Sequence, residues 1–149
     1  MTELNSIALK IISNGQGILA ADESTATMTK RLENVNVESN SQNRLVFRET
    51  LFGSSSMKDC IGGVILYDET IRQSSTKGDK ISELISKSNT VTGIKVDTGA
   101  KSLANSSQEK ITEGLDGLRE RLKEYYKFGA RFTKWRGVYT ISNIYPSKL

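Results

Sequence analysis

The sequence predicts an α/β fold built on a parallel sheet, and three observations carry that prediction. Apolar runs that read as strands alternate with stretches of helical periodicity, in units of about 30 residues or more. The runs are solidly apolar rather than alternating, as strands are when both of their faces are covered. Each run closes on charged residues, at the end of the strand where barrel enzymes keep their reactive groups.

Taken in order, Leu4, Ile7, Ala8, Ile11 and Ile12 follow the spacing of one apolar helix face, which Asn14-Gly15 breaks. Gly17 to Ala21 reads as the first buried strand, and a short helix runs from Thr25 to Leu32. Ser39-x-x-Gln42 matches a capping box for a helix that carries Leu45, Val46, Leu51 and Phe52 and ends at Gly53. Gly53 to Ser56 is a loop, and Cys60 to Tyr67 is the second strand. Ile81, Leu84 and Ile85 mark a short helix, and Val91 to Val96 is a third strand closing on Asp97. The polar span 98–113 reads as a long loop or excursion. Leu115, Leu118, Leu122 and Tyr125 define the best helix of the chain, stopped by Gly129, and Arg131 to Trp135 is the fourth strand. Pro146-Ser147 reads as the start of a further helix, cut off at Leu149.

Composition narrows the function. The 149 residues suffice for one domain, 1–149, with a single core, and 36% hydrophobic with 26% charged residues reads as soluble and globular. No apolar run reaches the ~18 residues of a membrane span. The N-terminus lacks a basic start and apolar core, so neither membrane insertion nor a secretory route is expected. The single cysteine, Cys60, rules out an intramolecular disulfide and suits a reducing compartment; its setting beside an apolar strand predicts an inert, buried thiol. With no histidine, a Ser-His-Asp triad and histidine-ligated metal are both excluded, and one cysteine cannot build a zinc cluster. Acid–base work falls to Asp, Glu, Lys or Tyr. The net charge of +4 comes from 21 basic residues scattered among 17 acidic ones, without the basic, aromatic-interleaved run of a nucleic-acid binder. A small positive excess suits an anionic metabolite.

Four polar clusters close the four predicted strands: Asp22-Glu23-Ser24, Asp68-Glu69-Thr70, Lys95-Val96-Asp97 and Lys134-Trp135-Arg136. Side chains two apart in a strand share a face, so Lys95 joins Asp97 and Lys134 joins Arg136. With the strands as neighbours in one sheet, Asp22, Lys95, Asp97, Lys134 and Arg136 converge on one cavity. Two lysines and an arginine there suit a phosphate or an enolate oxygen, and Asp22 a proton transfer or an ammonium. A lysine among other cations is also a competent amine nucleophile for a carbonyl. Charged residues at strand ends are commonly just solvated, and a Lys–Asp pair is commonly a plain ion pair. A lysine inside an apolar strand resists that plainer reading, because burying an ammonium without a partner is costly. Tyr125-Tyr126 reads as core packing, Trp135 as packing outward against a helix, and the stretch from Gly114 to Leu118 as a helix cap or turn.

Six motifs then carry a family resemblance. They are GILAADEST at 17–25, KRL at 30–32, IGGVILYDET at 61–70, GIKVDTG at 93–99, GLDGL at 114–118 and GARFTKWRGV at 129–138. Collinear and spread over almost the whole chain, they resemble the N-terminal part of the class I (Schiff-base) fructose-bisphosphate aldolases. The resemblance implies the first four strands of a TIM-type (β/α)8 barrel, a half-barrel. It also implies a cytoplasmic glycolytic enzyme, homotetrameric assembly, actin as a possible partner, and no metal or cofactor. The implied reaction is reversible cleavage of fructose 1,6-bisphosphate to dihydroxyacetone phosphate and glyceraldehyde 3-phosphate through a lysine imine.

By the same resemblance, Asp22 assists carbinolamine formation and carbon–carbon cleavage, and Lys134 stabilises charge and oxyanions near the imine. Lys95 and Arg136 match substrate- and phosphate-binding positions, Ser24 and Thr27 the hydroxyls near the sugar phosphate, and Arg31 a phosphate-reaching arginine. The sequence departs from the family's usual pattern at Ala26-Thr27, where a Gly-Ser pair is usual, at Thr98 in place of lysine, and at Thr133 in place of alanine. The family's proton-shuttling glutamates lie on the next strand and its imine-forming lysine on the one after. The expectation is therefore a truncated, inactive form with open strand edges, marginal, aggregation-prone or dimeric on its own. The alternative is a non-catalytic half-barrel that binds phosphosugars or protein partners.

Overall fold

The computed structural model describes residues 2–148, and among them six strands follow in chain order. They are β1 (Gly17–Ala21), β2 (Ile61–Leu66), β3 (Val91–Lys95), β4 (Gly99–Ser102), β5 (Lys110–Glu113) and β6 (Phe132–Lys134). The helices are α1 (Glu3–Ile12), α2 (Thr25–Glu33), α3 (Ser41–Phe52), α4 (Met57–Cys60), α5 (Asp68–Ile71), α6 (Ile81–Ser86) and α7 (Leu118–Lys127). Strands β1-β2-β3-β6 form one parallel sheet in that order, and β4 and β5 pair antiparallel beside it. The four predicted parallel strands are thus present, each within one or two residues of its expected bounds.

Alternation along the strands divides the sheet's two faces. Ala21, Val64, Leu66 and Ile94 point outward and meet Leu45 and Phe52 of α3, Ile81 and Ile85 of α6, and Tyr125 of α7; this layer is the core. The inner face is filled differently. The Phe132 ring of β6 lies over Gly93, and Ile11 at the end of α1 lies over Gly63. Glycine at 93 is what admits that ring, since a Cβ there would sit 2.3 Å from it.

Several expectations change. The full cover expected for every strand holds for β2 and most of β3, but Ile18 of edge strand β1 is 49% exposed. The apolar face of α1 is not buried as a stripe: Ile11 is buried while Leu4 and Ile12 are exposed, because α1 meets the sheet through its C-terminal end. The cap of α3 is Asn40 rather than Ser39, its side chain accepting from the Asn43 N–H at 2.8 Å. Cys60 is exposed, at the end of the short, unpredicted α4, with its thiol donating to the Ser56 carbonyl. The span 98–113 is the β4–β5 hairpin, tied to the end of β6 by Thr112 Oγ1–H donating to the Arg136 carbonyl at 2.7 Å.

Helix α7 starts at Leu118, with Gly117 in the left-handed region (φ 64°) as its N-cap, so Leu115 lies outside the helix and is exposed. Leu122 and Tyr126 are exposed on its free side, and so is Trp135, which therefore does not pack away behind a helix. No helix begins at Pro146 within the described residues, and Leu149 lies outside them. Among the described residues no helix is long and apolar enough to cross a membrane.

Candidate active site

The parallel ladder ends at Ala21 on β1 and at Leu66 on β2, so Asp22 is the first residue freed from it. Lys95 and Lys134 are register partners at the ends of β3 and β6, and their side chains leave the sheet on the same side. Strands β1 and β6 are opposite edges of the sheet. Three interstrand spacings would separate them by about 14 Å if it were flat. Yet the Lys134 ammonium donates to Asp22 Oδ2 at 2.7 Å, across 112 residues of sequence. The sheet is curled into a segment of barrel wall, and its C-terminal rim folds inward around a common cavity.

That cavity measures about 720 Å³. Asp22, Ser24, Thr27, Lys95, Asp97, Lys134 and Arg136 all line it, so the convergence expected from strand-end clusters is realised. Lys95 donates to the Asp97 carboxylate and to the Asp97 carbonyl, the latter at 2.6 Å. Burial pushes the Asp97 carboxyl up, but the Lys95 bond and charge, the Arg136 N–H and the nearby Lys134 together hold it below the usual range. Ser24 caps α2, accepting from the Thr27 N–H, and its hydroxyl lies 3.1 Å from that of Thr27. Arg31 is the exception among the expected residues. It does not line the cavity, and its half-exposed side chain pairs with Glu23 instead.

Other wall residues were not foreseen as part of the site. Arg72 bridges Glu124 and Asp68, which keep its guanidinium firmly charged, and lies over the Phe128 and Tyr125 rings. Arg121 donates to the carbonyls of Val96 and Gly114. Tyr125, expected as plain core, is buried but donates its hydroxyl to Asp68 at 2.9 Å. Nothing in the local pattern separates these from helix-surface charges; their roles follow from α7 lying against the end of β3. The lining therefore holds five cations and four carboxylates. Lys95 and Lys134 are each matched by a carboxylate, while Arg136 takes no ion pair among the described residues.

Behind this wall Arg44 of α3 grips Glu69 with a two-pronged fork, Nε to Oε2 at 2.9 Å and Nη2 to Oε1 at 2.6 Å. The Arg44 bond holds the Glu69 carboxyl below its usual range. A depressed folded-state value contributes stability that is present above the unfolded-state pKa and is lost as pH falls through the folded one. Glu69→Gln is expected to cost roughly 1–2 kcal/mol at neutral pH. Its difference from wild type should vanish in acid below the folded Glu69 pKa, where Glu69 is protonated in both states. Urea unfolding between neutral pH and strong acid checks this; an undiminished difference in strong acid would contradict it.

Residues 3–149 match the family model "Fructose-bisphosphate aldolase class-I". The chain belongs to the class I fructose-bisphosphate aldolase family. It is 51% identical over 148 residues to the non-muscle type fructose-bisphosphate aldolase of Lethenteron camtschaticum, and 48% identical to aldolase C-B of Danio rerio. Each match covers 99% of this chain and 41% of the relative. A solved fructose-bisphosphate aldolase from Plasmodium falciparum, in complex with TRAP and a small molecule inhibitor, superposes with a TM-score of 0.93 at 44% identity. That match covers 98% of this chain and 43% of the solved one. The chain thus spans about two fifths of the length of these relatives, and its sheet corresponds to part of an aldolase barrel wall.

Proposed function

We propose that residues 1–149 form the sugar-phosphate-binding and charge-handling side of a class I fructose-bisphosphate aldolase site. The observation that carries this is the Asp22–Lys134 contact, made across the curled sheet inside a cavity that also presents Lys95 and Arg136. On this reading Arg136 and Lys95 take a phosphate of fructose 1,6-bisphosphate, with Ser24 and Thr27 on its oxygens. Arg31 reaches a phosphate from α2 once released from Glu23. In the family's reaction a lysine amine adds to the C2 ketone and loses water to give an imine. The C4 hydroxyl then loses its proton as the C3–C4 bond breaks, and the electron pair passes into the imine to leave an enamine, which is protonated and hydrolysed to free the lysine. Asp22 assists the addition and the cleavage, and Lys134 steadies the developing negative charge. Dihydroxyacetone phosphate and glyceraldehyde 3-phosphate are the products, in a cytoplasmic, homo-oligomeric glycolytic enzyme.

The imine-forming lysine itself is assigned to family strands that follow the four seen here. Lys95 and Lys134 are not read as substitutes for it, because each side-chain nitrogen is held against a carboxylate, Asp97 and Asp22 respectively, and not presented free to a ketone. The 149-residue polypeptide alone accordingly binds the sugar bisphosphate without turning it over. This same pairing favours, for the isolated polypeptide, the second reading of a non-catalytic phosphosugar-binding half-barrel.

Borohydride reduction in the presence of fructose 1,6-bisphosphate, followed by intact mass and peptide mapping, tests the assignment alongside calorimetric titration. Saturable binding with no covalent adduct is expected. A sugar adduct on Lys95 or Lys134 would show that one of them serves as the amine. Absence of binding by a cooperatively folding chain would remove the phosphosugar reading for these residues alone.

A further inference from the structure

Arg48 of α3 is 1% exposed, the largest side chain in the molecule to be buried so completely. Burial pushes its guanidinium down, opposed by the charges of Glu23 and Glu69. Burying a guanidinium is expensive, and a well-packed apolar side chain of similar volume is often no less stable in such a place. Its bonds show what an apolar residue could not supply. One Nη2–H donates to the Glu23 backbone carbonyl at 2.5 Å, and one Nη1–H to Thr70 Oγ1 at 2.8 Å. The Tyr67 ring lies 5.9 Å from the guanidinium carbon, and Glu23 Oε2 lies 3.7 Å from Nη2.

These partners share a location. The β1–β2 ladder ends at Ala21 and Leu66, so neither Asp22 nor Glu23 is held by a strand neighbour. Glu23 lies just past the end of β1, and Tyr67 and Thr70 just past the end of β2. The rigid fork of Arg48 spans the gap where the sheet's own hydrogen bonds stop. Fixing the Glu23 carbonyl restricts the backbone that carries Asp22, whose carboxylate must stay 2.7 Å from Lys134. A misplacement of about 1 Å in such a pair is enough to matter chemically.

We propose that Arg48 is a positioning residue that holds the Asp22 carboxylate against Lys134 by clamping the Glu23 carbonyl to Thr70 of α5, just beyond β2. Its relevance to turnover rests on the reading of Asp22 and Lys134 as working residues of the aldolase site. The geometry can be tested without any sugar phosphate, so failure of the clamp and failure of that reading are told apart.

The test is competitive acylation of lysine amines in the 149-residue chain, read peptide by peptide, with exposed Lys58 and Lys80 as internal references. Arg48→Met is expected to raise Lys134 labelling about threefold, the scale of a partly exposed ion pair, with the references unchanged. Asp22→Asn, which removes the partner carboxylate directly, should raise it equally. A fall in melting temperature with unchanged Lys134 labelling in Arg48→Met would overturn the proposal and leave Arg48 a purely structural residue. Should Arg48→Met fail to fold, Thr70→Val decides, since it removes one prong's partner at nearly constant volume. A smaller rise confined to Lys134 supports the clamp, and unchanged labelling overturns it.

Discussion

Lys134→Met is expected to weaken binding of fructose 1,6-bisphosphate to the chain by about 10- to 100-fold, the scale of one charge-assisted hydrogen bond. Two effects add. The ammonium that faces the cavity is lost, and Asp22, now without its 2.7 Å partner, is left as an uncompensated anion beside an anionic ligand. The same reasoning gives Asp22→Asn the opposite sign: binding should be unchanged or tighter, because a negative charge leaves the wall and the Lys134 charge faces the anionic ligand unopposed. In a longer aldolase chain that variant would still lose turnover, so affinity and rate would part company. Calorimetric titration of both variants reads the split. Equal weakening by both would mean that the pair serves to hold the sheet's edges together rather than to meet a ligand.

Gly62→Ala is expected to destabilise the fold by about 3 kcal/mol, the upper end for an overpacked site, through loss of helix α1 from the sheet. A Cβ at 62 would lie 1.9 Å from the Ile11 carbonyl oxygen and 2.7 Å from its carbon. Both are backbone atoms, so no side-chain rotation relieves the clash and the whole C-terminal end of α1 must move. With total stabilities near 5–15 kcal/mol for a domain, this is a large fraction. A lowered urea midpoint together with fast hydrogen exchange in α1 would confirm it. Gly17→Ala serves as the control, since nothing lies within 4 Å of the new methyl. Wild-type protection of α1 in Gly62→Ala would mean that the helix does not seat over β2.

Much of this architecture is legible in the sequence. Apolar runs located β1, β2 and β3, and the shorter alternating segment Arg131 to Trp135 gave the fourth strand. The strand-end clusters located the cavity, because in a parallel sheet the carboxyl ends share one rim. Strand alternation alone put Lys95 on one side with Asp97 and Lys134 with Arg136, while the β3–β6 register is what sets the two lysines side by side. What periodicity could not supply was the partner of each face. The helical spacing in α1 is real, yet Leu4 and Ile12 stay exposed because only the end of that helix reaches the sheet. Arg44 and Arg48, four apart on α3, drew no reading from the sequence, yet both are buried beneath the rim of the cavity. Cys60 borders a buried strand and is nevertheless exposed, since one short helical turn carries it outside.

The sequence by itself determined the four parallel strands and the helices α1, α2, α3, α6 and α7 in their order, the family, and the residue types at each strand end. The elements depend on backbone periodicity and local composition, and the family resemblance on six motifs in order, all of which a linear chain states directly. Only the tertiary structure decided that Asp22 meets Lys134, that Arg31 turns to Glu23 and away from the cavity, and that Arg48 braces the ends of β1 and β2. The first of those contacts depends on the curl of the sheet. That curl sums small twists between neighbouring strands over the whole width of the sheet, and no local stretch of the chain encodes the total.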